Sequence, residues 1–79
     1  MEVLFFGKLG ELVGRSVALD AAPATVAELR TAVAERFPAA RGELLRPSLR
    51  ACVGDALVGE DFPLAGVAAV EFFPPLSGG

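Results

Sequence analysis

Only one stretch of the chain carries both a helix start and a helix stop. Thr25-Val26-Ala27-Glu28 has the Ser/Thr-x-x-Glu spacing in which a hydroxyl caps the first turn and the carboxylate three residues on reaches back. Val26, Leu29, Val33 and Phe37 follow at offsets of three and four, forming one apolar stripe that can lie across a sheet. Arg30, Thr31, Glu35 and Arg36 are expected to face mostly outward. Pro38 disfavours helical backbone at Phe37, so the helix should stop there. A lone helix cannot bury its own stripe, and the rest of the chain must supply the second layer.

That layer is written as short runs of branched and aromatic residues. Residues 2–6, Glu-Val-Leu-Phe-Phe, suit a strand closed by Gly7, with Val3 and Phe5 on one face and Leu4 and Phe6 on the other. Residues 8–14 form a connector with a helical turn at Glu11-Leu12-Val13. Residues 15–20 alternate, with Val17 and Leu19 inward, and make the partner of a hairpin. A turn is expected at Glu43-Leu44-Leu45. Residues 49–53 form a third strand with Leu49, Ala51 and Val53 inward and Arg50 and Cys52 outward, and Gly54-Asp55 turns the chain into Ala56-Leu57-Val58. After a loop over residues 59–66, in which Phe62 and Leu64 can tuck beneath the core, residues 69–73 close the sheet. Val70 and Phe72 take one face, Glu71 and Phe73 the other. The order β-β-α-β-β-β implies an α+β domain, a mixed sheet with one main helix packed across one face.

If the helix covers Val3, Phe5, Val70 and Phe72, then Leu4, Phe6 and Phe73 point to the uncovered side. An apolar fraction of 53% in 79 residues also leaves too little polar surface to hide such a patch. Alternation over three residues does not fix the side on which Leu57 lies. One cysteine and no histidine exclude an internal disulfide and a zinc site of the usual ligands. A net charge of −3, without clustered Lys or Arg, speaks against nucleic acid, and no apolar run approaches the length of a membrane span. The chain is expected to be cytoplasmic.

Residues 1–73 thus make one domain, and residues 74–79, Pro-Pro-Leu-Ser-Gly-Gly, a flexible diglycine tail. Pro74 and Pro75 cannot extend a central strand and lead the chain away from the fold. Six extended residues reach about 20 Å, enough to enter the active site of another protein while the domain docks outside. The domain itself holds no catalytic set. Histidine is absent, the carboxylates, including the Glu60-Asp61 pair, look like solvated surface, and Cys52 has no base to activate it. Cys52 suits a small packing residue or a member of the patch. Gly7, Gly10 and Gly14 match neither phosphate-binding fingerprint and are turn residues. The distinctive reactive group is the α-carboxylate of Gly79, which must be activated by another enzyme before it can react. Glycine at 78 and 79 keeps the strand narrow enough to thread into a nucleotide site.

Val3-Leu4-Phe5-Phe6-Gly7 followed by Glu11-Leu12-Val13-Gly14, the Thr25-Val26 helix start and above all Phe72-Phe73-Pro74-Pro75-Leu76-Ser77-Gly78-Gly79 resemble the small subunit of molybdopterin synthase. The resemblance covers the whole chain and implies the ubiquitin-like β-grasp fold. It also implies a sulfur carrier. An adenylyltransferase related to ubiquitin-activating enzymes would adenylate Gly79 with ATP and magnesium, and sulfur transfer would leave a terminal thiocarboxylate. Within a heterotetramer with the large synthase subunit, which would own the catalytic residues, the tail would deliver sulfur to a cyclic pterin precursor to build the dithiolene that later holds molybdenum. Phe6, Leu57 and Phe73 match the family's apolar docking positions, and Pro74, Pro75, Leu76, Ser77 and Gly78 would line the partner's channel ahead of Gly79. The chain itself would bind no cofactor. It departs from the family at Gly54, where asparagine is frequent, and at Ala65-Gly66-Val67-Ala68, where an Asp-Gly-Asp-like turn is frequent; both lie in turns.

Other functions fit the same residues. A related carrier of the same fold would serve thiazole, cysteine or tungsten cofactor synthesis, and a protein modifier would join lysines through Gly79. A plain β-grasp interaction module would use the patch and leave Gly79 unreacted.

Overall fold

The computed structural model describes residues 1–74. Its core is a five-stranded sheet formed by β1 (Glu2–Phe5), β2 (Ser16–Ala18), β3 (Arg50–Val53), β4 (Ala56–Val58) and β5 (Ala69–Phe73), in the spatial order β2-β1-β5-β3-β4. β1 and β5 run parallel at the centre, and every other pairing is antiparallel. β1 and β5, which carry the large aromatic residues, take positions with neighbours on both sides. The shorter β2 and β4 form the edges, where fewer ladder bonds are made.

The register of the central pair sets Val3 against Val70 and Phe5 against Phe72. All four are buried, and the rings of Phe5 and Phe72 stack with centroids 6.0 Å apart. β2 is shorter than expected, but its pairing extends past both ends. The Phe5 N–H donates to the Arg15 carbonyl at 2.9 Å and the Leu19 N–H to the Met1 carbonyl at 2.8 Å. Val17 and Leu19 are buried, as alternation requires.

The helix α2 (Val26–Arg36) lies over this face and buries Val26, Leu29 and Val33 completely. Thr25 caps it, its hydroxyl accepting from the Glu28 N–H at 3.3 Å. The return bond of the box goes one residue further out, from the Ala24 N–H to the Glu28 carboxylate at 3.2 Å. Phe37 ends the helix in a non-helical conformation before Pro38 and is only half-buried. Leu64 is buried beneath the core and Phe62 packs against it.

Two connectors hold more helix than expected. Residues 8–13 form α1 (Lys8–Val13), which starts soon after β1 ends and buries Leu9. Glycines at 7, 10 and 14 suggest a loop, yet Gly7 serves only to turn the chain at φ 71° and Gly10 is tolerated inside the helix. After α2, a 3-10 turn (Pro38–Ala40) leads into α3 (Arg41–Leu44), and Ala40 and Leu44 are fully buried.

Arg30 overturns the expectation that it faces solvent: it is 6% exposed. Its Nη1 donates to the carbonyls of Leu44 at 2.9 Å and Arg46 at 3.3 Å, and its Nη2 donates to that of Leu49. Its Nε lies 2.9 Å from the Glu60 carboxylate, and the guanidinium sits 5.3 Å from the centre of the Phe72 ring. The physical reason is a shortage of donors. The end of α3 and the turn into β3 leave carbonyls without helical partners, and arginine's planar fork reaches several at once. The same contact corrects the reading of Glu60 as a solvated loop residue, since it is half-exposed but ion-paired.

Replacing Arg30 by methionine keeps the apolar stem and takes the guanidinium donors from the Leu44 and Leu49 carbonyls, while the Arg46 carbonyl keeps the Leu49 N–H. Arg30→Met is expected to lower stability by about 3 kcal/mol in urea unfolding, whereas Glu60→Gln, which removes the partner on the wetter side, costs under about 1 kcal/mol. Equal, small losses in both variants would show that the carbonyl contacts contribute little.

Candidate functional site

The face of the sheet away from α2 is where the unburied apolar residues gather. Its side chains are set by the register. Leu4 lies opposite Ser16 on one side and Glu71 on the other, Glu71 opposite Cys52, and Cys52 opposite Leu57. One row further along, Phe73 lies opposite Arg50. Phe6 continues β1 past its last paired residue, and its N–H still donates to the Phe72 carbonyl at 3.2 Å. The rings of Phe6 and Phe73 stack with centroids 4.5 Å apart and planes 1° from parallel.

This stack is not core. Phe6 is 41% exposed, and Leu57, at the far edge on β4, is 61% exposed. Leu4, Cys52 and Phe73 are half-buried. The structure therefore brings together Phe6, Phe73 and Leu57 on one face, and it settles the side on which Leu57 lies. Cys52 sits in the row between Leu57 and Glu71, a member of this face rather than of the core. Leu12 on α1 and Leu45 just after α3 are further exposed apolar residues. Sequence reasoning passed over them because each lies in a connector, where no sheet alternation applies.

Pro74 marks the edge of this face. It directly succeeds the stacked Phe73, is exposed, and packs on the backbone of Gly7 so closely that a Cβ added at Gly7 would lie 2.8 Å from the proline Cγ. The start of the tail is thereby seated against the turn between β1 and α1. Pro75, Leu76, Ser77, Gly78 and Gly79, the remaining tail residues expected to function, lie outside the described residues.

Basic groups stand near this edge. Lys8 comes directly after Gly7 and pairs with Glu43 at 3.7 Å, and Arg50 occupies the position opposite Phe73. A shallow depression on the solvent side of α2 is lined by Ala27, Glu28, Thr31, Ala32 and Glu35, in the layer opposite the apolar face. Its residues include no nucleophile paired with a base. The described domain thus exposes an apolar sheet face that runs up to Pro74.

Comparison with known proteins agrees with this architecture. The chain is 39% identical over 80 residues to the molybdopterin synthase sulfur carrier subunit of Escherichia coli (strain K12), an alignment covering 100% of this chain and 99% of that protein. The crystal structure of SAMP1 from Haloferax volcanii superposes with a TM-score of 0.80 at 26% identity, covering 99% of this chain and 97% of that one. A second crystal structure, of the small archaeal modifier protein 1 of H. volcanii, gives a TM-score of 0.72 at 26% identity, with 95% of each chain covered. The fold is the ubiquitin-like β-grasp. The model of the ThiS family matches residues 3–79, and with that match, the full-length identity and the shared fold, the chain belongs to the ThiS family.

Proposed function

We propose that the chain is a sulfur carrier and that it serves as the small subunit of a molybdopterin synthase. The observation that carries this reading is the exposed Phe6–Phe73 stack, which ends at Pro74 where the diglycine tail begins. It is supported by full-length identity to a protein described as a sulfur carrier subunit.

In this reading Gly79 first attacks the α-phosphorus of ATP through its carboxylate. Pyrophosphate leaves, and an acyl adenylate forms on an activating enzyme of the ubiquitin-activating type, with magnesium held by the nucleotide. A sulfide equivalent then adds to the carbonyl carbon, and AMP departs with the electron pair of the C–O bond. The product is a thiocarboxylate, whose polarizable, weakly hydrated sulfur is a better nucleophile than the carboxylate oxygen it replaces. The domain next docks on the large subunit through Phe6, Leu57 and Phe73. Pro74, Pro75, Leu76, Ser77 and Gly78 lead Gly79 to the pterin precursor, where the thiocarboxylate sulfur bonds to a substrate carbon and displaces an oxygen substituent; water then hydrolyses the acyl–sulfur bond, which returns the Gly79 carboxylate and leaves the sulfur on the substrate as a thiolate. Two such deliveries make a dithiolene, two small subunits joining two large ones in a heterotetramer. The acid and base groups for the delivery to the pterin belong to the large subunit.

A second reading has its own support. One structural neighbour is named as a modifier protein, and a modifier would pass the activated Gly79 carbonyl to a lysine amine instead of to sulfur. Incubation with ATP, magnesium, an activating enzyme and a sulfur source separates the two by intact mass. Replacement of one oxygen by one sulfur at the C-terminus is expected; isopeptide-linked adducts without that replacement would favour the modifier.

Phe73→Asp is expected to leave the fold intact, because the side chain lies on the outer face, and to weaken association with the large subunit by at least about tenfold in a titration, since an aromatic anchor at the centre of an interface is replaced by a charge. Undiminished binding would sink the docking assignment. Deleting Gly79 is expected to abolish sulfur transfer while leaving association unchanged. Retained transfer would remove the tail from the mechanism.

A further inference from the structure

The apolar sheet face holds a carboxylate where docking would bury it. Glu71 lies on the central strand β5, with Leu4 opposite it on β1, Cys52 opposite it on β3 and Leu57 beyond Cys52. Phe73 is the next outward residue along its own strand, stacked on Phe6. The side chain is already half-buried. The other carboxylate placed on this face, Glu2, is exposed at the opposite end and accepts a hydrogen bond from the Ser16 hydroxyl at 2.9 Å. Among the described residues Glu71 has no such hydrogen bond. The ion pairs among the described residues are Lys8–Glu43, Arg30–Glu60 and Arg46–Glu43, and Glu71 takes part in none of them. Arg50, the basic residue that the register places on this face, lies diagonally across from it, opposite Phe73.

A partner that covers Phe6, Phe73 and Leu57 must also cover Glu71. Removing an unpaired carboxylate from water is far costlier than the burial of its apolar neighbours is favourable, so an interface of this kind forms only if a counter-charge arrives with the partner. We propose that Glu71 is a specificity-determining residue of the docking face, matched by a cationic side chain, arginine or lysine, that the large subunit projects into the centre of the contact. This rests on the docking reading above. An apolar protein surface that is otherwise complementary, but lacks that cation, would be rejected by the buried charge.

The test is a calorimetric titration of the full-length chain with the purified large subunit of molybdopterin synthase from the same organism, at low and high salt. Glu71→Gln keeps the shape and removes the charge, and Glu71→Leu makes the face wholly apolar. Both are expected to fold, since the side chain lies outside the core, and both are expected to bind at least about tenfold more weakly than the parent, with a smaller dependence on salt. Equal or tighter binding of Glu71→Leu would overturn the inference while leaving the docking face in place. A double-mutant cycle guards against the chain's own arginine acting as counter-charge: if the Glu71→Gln effect vanishes in an Arg50→Gln background, the inference is overturned. Were the parent chain itself not to bind, the proposed function would fall, and this inference with it. Weak binding by Phe73→Asp beside undiminished binding by Glu71→Gln would refute the inference alone.

Discussion

The parallel pairing of β1 with β5 is the constraint on which the other features rest. It joins residues 2–5 to residues 69–72, so nearly the whole chain lies between two neighbouring strands. On the inner face the register stacks Phe5 on Phe72 and sets Val3 beside Val70, giving α2 its surface to cover. On the outer face the same register brings Phe6 beside Phe73 and sets Pro74 over Gly7. A slip of one residue would send Phe72 to the outside and Phe73 to the core. One pairing therefore decides both what is buried and what is left exposed on the outer face.

Arg30 secures the far side of the same sheet. Through the carbonyls of Leu44, Arg46 and Leu49 it fastens the entry to β3, and through Glu60 it fastens the loop that leaves β4. In a domain of this size the hydrophobic core is small, and a buried polar network that satisfies several backbone groups at once holds loops that apolar contacts alone would leave loose. Its guanidinium also lies against Phe72, which links this network to the central pair.

Much of this was legible in the residues because the signals are local. The Thr25 cap, the stripe of Val26, Leu29 and Val33, and the alternation in the strands depend on neighbours a few positions away, and each appears in the structure. The outward side of Phe6 and Phe73 came from the same alternation. What escaped was set by distant partners. Arg30 looks like a surface residue on a helical wheel, and its acceptors lie 14 to 30 residues along the chain. α1 was hidden because Gly7, Gly10 and Gly14 resemble loop punctuation, although only one of the three lies inside the helix. Leu57 was ambiguous until its pairing with Cys52 gave it a side. Gly78 and Gly79 remain a matter of chemistry and resemblance, since they lie outside the described residues.

The position of β5 also bears on mechanical load. A partner that grips the residues after Pro74 and draws on them pulls β5 along its own axis, between β1 on one flank and β3 on the other. Bonds that run across the strand direction then share the strain together, instead of opening one after another from an end. A terminal strand at the sheet's edge could be peeled away; a central one held from both flanks resists traction applied beyond Pro74 without unravelling the domain.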